Sequence, residues 1–378
     1  MPADPLDIHR RAFVADLHCD TLLFIKTGLD VSIRNETGHV DLPRLKQGGV
    51  NLQVFACFLP VQIPADEAVA WVDELLGLLV VTTARNEQEV AICTTTAEAR
   101  RTVAEGRIAA VLSIENGQAI AGNLHNLEYF YRRGVRSMTL VHAVSHDWCI
   151  SSADPEPAFD GLTDFGRDVV REMNGLGMIV DISHLSLEAV RQVLEVSKAP
   201  IIASHSCVHA LCPHHRNLSD DQIQAVADTG GMIGVNFCGA FLLPEFFLVS
   251  TAFTEAHEEE YEAVLELMSG MHKDDAYRLR FKKLSPFLDA WSTKMLSVPT
   301  AVTMVADHID YIVNLVGPEY VGLGSDFDGI IHPPIDLADC SMMPNITREL
   351  VRRGYAEADI RKILGENFMR VFAQVCDR

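Results

Sequence analysis

The feature that most constrains the fold is a repeat of short apolar segments of strand-like composition, separated by segments with helical spacing of apolar residues. Eight such segments occur, at residues 13–18, 50–58, 108–115, 137–142, 177–184, 200–205, 231–237 and 320–326. Strands that are apolar over most of their length are buried on both faces, and their alternation with helices is typical of a parallel sheet. The chain is therefore predicted to be an α/β protein.

Eight such units favour a closed (β/α)₈ barrel, or TIM barrel, over an open doubly wound sheet, because no glycine-rich phosphate loop follows the first strand. Barrels of this kind commonly exceed about 200 residues in one domain, so we predict a single domain over residues 1–378. Residues from about 240 to 298 interrupt the alternation and predict a helical insertion after the seventh strand. Two helices, at about 346–353 and 357–373, are expected to end the chain.

Polar residues capable of chemistry fall at the carboxyl ends of the predicted strands. These residues are His18, Asp20, Glu115, His142, His184, His205 and Asp326. In a barrel the carboxyl ends of the strands form a single rim, where active sites are built. Residues from opposite ends of the chain are thus expected to be neighbours.

Histidine nitrogens and carboxylate oxygens at one rim suit a divalent metal such as zinc. The candidate ligands are His18, Asp20, Glu115, His184 and His205, which is more than the three protein ligands of a usual catalytic zinc. They fit two Zn²⁺ ions that share Glu115, with His18 and Asp20 on one ion and His184 and His205 on the other. Two ions about 3.5–4 Å apart can hold a hydroxide and polarise a carbonyl, which suits hydrolysis of an amide or ester.

Each of these residues also has a purely structural interpretation. A single histidine at a strand end is commonly a hydrogen-bonded structural residue, and Glu115 or Asp326 can belong to a tight turn. A structural role for the whole set requires that its members share one rim by coincidence, so we prefer the metal site. A loop cluster of His209, His214 and His215 is interpreted as exposed polar residues and left out of that site.

Composition excludes several classes of partner. The net charge of −21 argues against nucleic acid or an anionic membrane, since phosphate binding needs clustered lysine and arginine. No apolar stretch is long enough to predict a membrane span, and the first residues do not resemble a signal peptide. The nine cysteines include no C-x-x-C pair, so neither a disulfide framework nor a structural zinc site is predicted. We expect a cytoplasmic protein.

Seven segments of the chain resemble the membrane dipeptidase (renal dipeptidase) family of zinc metallopeptidases, in the amidohydrolase superfamily. They are residues 16–20, 113–117, 140–142, 181–184, 204–206, 216–217 and 321–329. They follow in order over almost the whole chain. The His-x-Asp pair formed by His18 and Asp20, with Glu115 in place of a carboxylated lysine, is distinctive of this family within the superfamily.

The resemblance implies hydrolysis of the peptide bond of dipeptides, including L-Xaa-D-Xaa, by a hydroxide held between two zinc ions. Asp326 matches the carboxylate that moves the proton from this hydroxide to the leaving amine. His142 matches the residue that contacts the substrate and stabilises the oxyanion. Arg216 matches the residue that binds the terminal carboxylate, with Asn217 beside it as a further substrate contact. The resemblance also suggests a homodimer.

Two other functions stay open. One is another amidohydrolase reaction, on an N-acyl amino acid or a lactone, against which Arg216 argues where the substrate has no free carboxylate. The other is a metal-binding protein without catalysis, which has no use for the proton carrier Asp326. The insertion looks longer than in mammalian members of the family, and Cys238 stands where they have an aromatic residue. Both differences leave the side-chain specificity open.

Overall fold

The computed structural model describes residues 4–261 and 276–377. Its strands are β1 (Ala15–Cys19), β2 (Leu52–Phe58), β3 (Val90–Ile92), β4 (Ile108–Glu115), β5 (Val135–Thr139), β6 (Ile179–Asp181), β7 (Ile202–Ala203), β8 (Met232–Val235) and β9 (Val321–Leu323). They form one sheet in the order β1-β2-β4-β5-β6-β7-β8-β9, in which every pairing is parallel. This path of eight strands confirms the predicted (β/α)₈ architecture.

The short strand β3 is the one part of the sheet that the sequence pattern does not predict. It pairs with residues 108–110 of β4, whereas β5 pairs with residues 112–115 farther along the same strand. The eight residues of β4 are all buried, and their length lets one edge of the strand hold both partners. β3 therefore extends the sheet at its amino-terminal end and takes no part in the rim.

The helices alternate with the strands, as predicted, and several begin at a capping residue. Their bounds are Pro5–Arg11, Thr21–Lys26, Leu42–Gln47, Ala65–Arg85, Thr96–Ala104, Leu124–Arg132, Asp164–Leu176, Leu187–Val196, Asp220–Asp228, Gly239–Leu242, Pro244–Ala256, Ala276–Met295, Val302–Val316, Pro344–Arg352, Glu357–Arg361 and Asn367–Cys376. Ser219 and Gln222, for example, form a capping box at the start of helix Asp220–Asp228. Over the described ranges, no helix has the length and apolar character that a membrane crossing requires.

The insertion lies between β8 and β9, the seventh and eighth strands of the barrel path, as predicted. Its described helices are Gly239–Leu242, Pro244–Ala256 and Ala276–Met295, and residues 262–275 of the predicted insertion lie outside the described residues. A small apolar cluster of Phe246, Met295 and Val298 joins the two longer helices. The insertion thus has a core of its own beside the barrel.

Hydrogen bonds between β1 and the segment after β9 complete the barrel. The carboxylate of Asp16 on β1 accepts hydrogen bonds from the backbone N and the Oγ of Ser325, at 2.8 and 2.6 Å. It also accepts one from Gln53 Nε2 of β2, at 2.9 Å. The backbone N of Asp20 donates to the carbonyl of Phe327 at 2.9 Å. These bonds bring the segment after β9 against the carboxyl end of β1.

The end of the chain differs from the single helix predicted over 357–373. It forms two helices, Glu357–Arg361 and Asn367–Cys376, joined by a wider helical turn at Lys362–Glu366. A Cβ at Gly365 would lie 2.3 Å from the carbonyl oxygen of Phe13 and 2.9 Å from the backbone N of Ala15. The turn therefore brings the backbone into direct contact with the start of β1, which a regular helix with side chains does not allow.

We predict that Gly365→Ala destabilises the fold. The two atoms that the new methyl group would meet first are backbone atoms of Phe13, just before β1, and of Ala15, the first residue of β1. This backbone cannot move without disturbing the sheet. The free energy of unfolding should fall by about 1–3 kcal/mol, measured by urea denaturation.

Gly175→Ala is the matched control for Gly365→Ala. Gly175 lies on an exposed helical turn with open space around its Cβ position, so the substitution should raise stability by about 0.5–1 kcal/mol. Equal unfolding midpoints for the two variants would contradict the contact between Gly365 and β1.

Candidate metal and substrate site

Glu115 stands at the centre of the rim, with histidine rings around both of its carboxylate oxygens. Its Oε2 lies 3.4 Å from His18 Nε2. Its Oε1 lies 3.1 Å from His184 Nε2 and 3.4 Å from His205 Nε2. The two oxygens therefore face different histidines, in the division that the sequence predicts for a carboxylate shared by two ions.

His18 and Asp20 converge at the end of β1, as their spacing predicts. Asp20 Oδ2 lies 3.6 Å from His18 Nε2. Both side chains are buried, and neither His18 Nε2 nor Asp20 Oδ1 has a hydrogen-bond partner in the described residues. Buried polar atoms without partners are costly, so the pair fits a site whose remaining partner is a metal ion.

A buried hydrogen-bond relay fixes the protonation of His205. The Oγ of Ser204 donates to Asp181 Oδ2 and lies 2.7 Å from His205 Nδ1. A hydroxyl has one proton, so Ser204 accepts from a protonated Nδ1. His205 Nε2 is then an unprotonated lone pair directed at Glu115 and His184, as a metal ligand requires.

Three overlapping groups of side chains bring one donor atom from each member within 4.8 Å of the others. The groups are His18, Glu115 and His205; Glu115, His142 and His184; and His18, Asp20 and Asp326. All of their donors are imidazole nitrogens or carboxylate oxygens, which suit zinc and neighbouring divalent metals. These donor atoms, together with the buried atoms of His18 and Asp20 that have no hydrogen-bond partner, fit a metal centre.

The electrostatics of this centre favour a cation. Burial lowers the pKa of His18, but the carboxylates of Glu115 and Asp20 outweigh it and hold this pKa well above its ordinary value. Burial and the charge of Glu115 raise the pKa of Asp20 to about 7. Burial lowers the pKa of His184 and of His205, so these rings are neutral. Metal binding at such a site displaces protons.

Asp326 reaches the same centre from the last strand. Its Oδ2 accepts a hydrogen bond of 2.9 Å from Asn236 Nδ2 at the end of β8. Asn236 is fully buried, and its Oδ1 accepts from the backbone N of Cys238. The sequence pattern does not single out Asn236 as a site residue, although it stands at the carboxyl end of a strand like the predicted ones.

Two of the site residues adopt left-handed backbone conformations. The φ angles of His184 and Asp326 are 72° and 61°. Such conformations are unfavourable for residues other than glycine and persist where the surrounding structure imposes them, commonly at functional sites. The strand ends therefore turn sharply at the residues whose side chains enter the site.

Gly329 leaves room for the two carboxylates. A Cβ at this position would lie 2.2 Å from Asp20 Oδ2 and 2.5 Å from Asp326 Oδ1. The sequence shows Gly329 only as part of an Asp-Phe-Asp-Gly turn. The close approach that requires glycine is visible only in the folded chain.

The remaining predicted residues lie beside this centre. His142 Nε2 is 3.9 Å from Glu115 Oε1. Arg216 is buried, its Nη2 donates to the carbonyl of His205 at 3.1 Å, and its Nε has no hydrogen-bond partner in the described residues. Asn217 Nδ2 donates to the carbonyls of Cys212 and Phe241, both at 2.8 Å. Asn217 thus joins the loop beside Arg216 to the insertion.

The loop histidines that were left out of the metal site lie apart from these groups. His214 and His215 have ring centroids 4.3 Å apart, and His215 Nδ1 is hydrogen-bonded to Ser152 Oγ. His214 is buried, where an exposed residue was expected, and its ring also packs against Phe241. Neither is among the described groups that could hold a metal.

A cavity of about 420 Å³ opens above the metal centre. Its floor includes Asp20, Glu115, His142, His184 and Asp326, and Arg216 lies in its wall. The volume falls within the range of small-molecule sites. The arrangement can therefore hold a small substrate next to the metal-binding groups and a buried guanidinium.

Comparison with protein families gives a match over nearly the whole chain. A family model described as membrane dipeptidase (peptidase family M19) matches residues 4–377. Dipeptidase aclJ of Aspergillus oryzae is 34% identical over 270 residues, which are 71% of this chain and 52% of that protein. Dipeptidase 3 of Mus musculus is 31% identical over 352 residues, which are 92% of this chain and 60% of that protein. The chain spans only part of the length of these curated relatives.

Solved structures resemble this chain over their full length. The probable dipeptidase PvdM from Pseudomonas aeruginosa has a TM-score of 0.83 and 28% identity, covering 99% of this chain and 98% of that chain. A metallo peptidase from Rhodobacter sphaeroides, liganded with a phosphinate mimic of the dipeptide L-Ala-D-Ala, has a TM-score of 0.77 and 26% identity. It covers 96% of this chain and 99% of its own.

We predict that Gly329→Ala lowers the metal content of the site while the fold persists. The new methyl group meets the ends of two side chains, which can rotate away, so the cost in stability is small. The rotation moves Asp20 and Asp326 out of the centre. Bound metal per chain, measured by elemental analysis after dialysis, should fall well below that of the wild type.

Gly77→Ala is the control for Gly329→Ala, since nothing lies near a Cβ at Gly77 within helix Ala65–Arg85. It should bind as much metal as the wild type. Full metal content in Gly329→Ala, at an unchanged unfolding midpoint, would show that the close approach has no role in the site.

Proposed function

The chain belongs to the membrane dipeptidase family, peptidase family M19, and we propose that it is a metal-dependent dipeptidase. The observation that carries this proposal is the position of Arg216 beside the metal-binding groups. The cavity offers a buried positive charge for one end of a small substrate and a hydrolytic centre for the bond next to it. A dipeptide has a carboxylate on the residue next to its scissile bond.

Arg216 supplies the first part of this recognition. Its guanidinium is buried, burial lowers its pKa, and no carboxylate of the described residues forms an ion pair with it. A buried arginine without an anionic partner is costly. A substrate carboxylate, which a guanidinium binds with paired hydrogen bonds, removes that cost.

The metal-binding residues supply the second part. We propose two Zn²⁺ ions, one held by His18 and Asp20 and one by His184 and His205, with Glu115 shared between them. When bound, such ions activate a water molecule and polarise the substrate carbonyl. The chain's part is to hold these donors in place, through the Asp181–Ser204–His205 relay and the contacts of Glu115.

Asp326 is the proposed proton carrier. It takes a proton from the water that attacks the peptide carbonyl and donates it to the nitrogen of the leaving amine as the C–N bond breaks. Its Oδ2 is held by Asn236, while its Oδ1 lies near the position that a side chain at Gly329 would occupy. The bond to Asn236 positions the carboxylate so that one oxygen faces the reacting atoms.

His142 is the proposed oxyanion donor. Burial lowers its pKa, so its ring is a neutral imidazole. His142 lines the cavity. Its Nε2, 3.9 Å from Glu115 Oε1, is the proposed donor to the oxygen of the tetrahedral intermediate. Asn217 stays a predicted substrate contact, although its amide N–H groups hold loop carbonyls here.

We extend the proposal to dipeptides with a D-residue on the carboxyl side. The Rhodobacter sphaeroides relative was solved with a mimic of L-Ala-D-Ala, and its likeness covers nearly all of both chains. Hydrolysis of both L-Xaa-L-Xaa and L-Xaa-D-Xaa is the expected activity.

The test is a panel of L-Ala-L-Ala, L-Ala-D-Ala, L-Ala-D-Ala amide and N-acetyl-D-alanine, with zinc-loaded protein and release of free alanine as the readout. We expect cleavage of both free dipeptides. Amidation removes the partner of Arg216 and should lower kcat/KM roughly 30-fold or more, since an unpaired buried charge costs about 2 kcal/mol or more.

Other outcomes of this panel separate the alternatives. Equal cleavage of the amide would contradict the proposed task of Arg216. Preferred cleavage of N-acetyl-D-alanine would identify an N-acyl amino-acid hydrolase. A metal-loaded protein that cleaves none of these substrates is not the proposed dipeptidase.

A second prediction separates proton transfer from metal binding at Asp326, which lies within reach of His18 and Asp20. Asp326→Asn keeps the shape of the side chain but cannot carry the proton, so kcat should fall roughly 100- to 10,000-fold at unchanged metal content.

His184→Ala is the comparison variant for Asp326→Asn and should lose metal from one of the two positions. Metal content and kcat are measured on the same preparations. Loss of metal from Asp326→Asn would make Asp326 a ligand and leave the proton carrier unassigned.

A further inference from the structure

The insertion forms one wall of the cavity above the metal centre. Phe246 and Trp291, from its two longer helices, both line the cavity, and their rings meet edge to face with centroids 6.3 Å apart. Neither residue belongs to the rim, and none of the hydrolytic steps proposed above uses them. Large apolar side chains that line a substrate cavity determine which side chains of the substrate fit.

The wall has a defined geometry. The ring of Phe246 packs so closely on Gly239 that a Cβ there would lie 2.8 Å from it. The indole Nε1 of Trp291 donates to Ser250 Oγ at 3.0 Å, which orients the ring. On its other side, Trp291 packs against His332, at 5.1 Å between centroids. The two aromatic rings are thus held by the insertion and by the loop after β9.

The wall is continuous with the proposed carboxylate site. The Arg216 guanidinium carbon lies 5.6 Å from the centre of the Phe241 ring. Phe241 lies on the short helix Gly239–Leu242, and Phe246 packs against Gly239 of the same helix. A substrate residue whose carboxylate binds Arg216 therefore places its side chain beside Phe241 and, beyond it, Phe246 and Trp291.

We assign a second wall of the cavity to the other half of a substrate. Phe58 lines the cavity there and packs edge to face on His142, with centroids 4.7 Å apart. His142 in turn lies 3.9 Å from Glu115, at the proposed hydrolytic centre. The amino-side residue of a dipeptide is thus next to Phe58, and the carboxyl-side residue is next to the insertion.

We propose that Phe241, Phe246 and Trp291 form the subsite for the carboxyl-side residue and that they select dipeptides with an aromatic or other bulky apolar residue in that position. This inference rests on the proposed dipeptidase function and on the assignment of Arg216 to the substrate carboxylate. A methyl side chain leaves the aromatic wall uncovered. A benzyl group buries apolar surface against it, which is worth roughly a tenfold to hundredfold gain in kcat/KM.

The test measures kcat/KM of zinc-loaded protein on L-Ala-L-Ala, L-Ala-L-Phe and L-Phe-L-Ala. The wild type should prefer L-Ala-L-Phe over L-Ala-L-Ala by roughly tenfold or more, and should gain less from phenylalanine on the amino side. In Trp291→Ala the ratio of kcat/KM for L-Ala-L-Phe to kcat/KM for L-Ala-L-Ala should fall several-fold. This ratio does not depend on the fraction of active protein, so partial unfolding or metal loss cannot imitate the result.

Leu248→Ala is the matched control. Leu248 lies on the same helix as Phe246 but is 63% exposed and does not line the cavity, so its ratio should equal that of the wild type. Trp291→Phe keeps an aromatic ring and should restore most of the preference that Trp291→Ala loses.

Several results would overturn the inference. A wild type that cleaves all three dipeptides without preference for L-Ala-L-Phe refutes the subsite and leaves the dipeptidase function standing. An unchanged ratio in Trp291→Ala removes Trp291 from specificity, and a preference for L-Phe-L-Ala reverses the assignment of the two walls. If no dipeptide is cleaved, the proposed function itself fails.

Discussion

The site depends on the closure of the barrel, and one buried carboxylate makes several of the closing contacts. Asp16 accepts hydrogen bonds from Ser325, which lies 309 positions away, and from Gln53 of the neighbouring strand. Burial raises the pKa of Asp16, while the bonds from Ser325 and Gln53 act against that shift. Because these bonds tie β1 to the segment after β9, they also bring His18 and Asp20 next to Asp326. The same contact that completes the fold therefore assembles the two ends of the site.

A second buried hydrogen-bond network, around Asp181, ties β6 to β5 and to the residue that follows β7. The Asp181 carboxylate accepts from the backbone N of Ser183 and of Ser204, and from Thr139 Oγ1. Polar groups in a core are tolerated when their hydrogen bonds are satisfied. Here the satisfied network reaches His205 through Ser204 and determines which ring nitrogen faces the metal centre. The same hydrogen bonds therefore stabilise the strands below the rim and orient His205 at the rim.

The residues proposed for catalysis and those proposed for substrate selectivity lie on different parts of the fold. The barrel rim holds the proposed metal ligands, proton carrier and oxyanion donor on the ends of buried strands, where packing fixes their positions. The wall of Phe246 and Trp291 comes from an insertion with its own small core. A substitution in that insertion can change which substrate side chain the cavity accepts without moving Glu115 or Asp326.

The sequence by itself determined the fold class and most of the rim residues, because buried strands and helices have different apolar periods and polar residues at strand ends interrupt them. It located His18, Asp20, Glu115 and Asp326 without revealing their distances. Only the tertiary structure decided the contacts that depend on approach across the fold, such as Asn236 to Asp326 and the space that Gly329 leaves for two carboxylates. It also broke the predicted last helix at Gly365 and placed Trp291 in the cavity, because such contacts join residues far apart in sequence and leave no local periodicity.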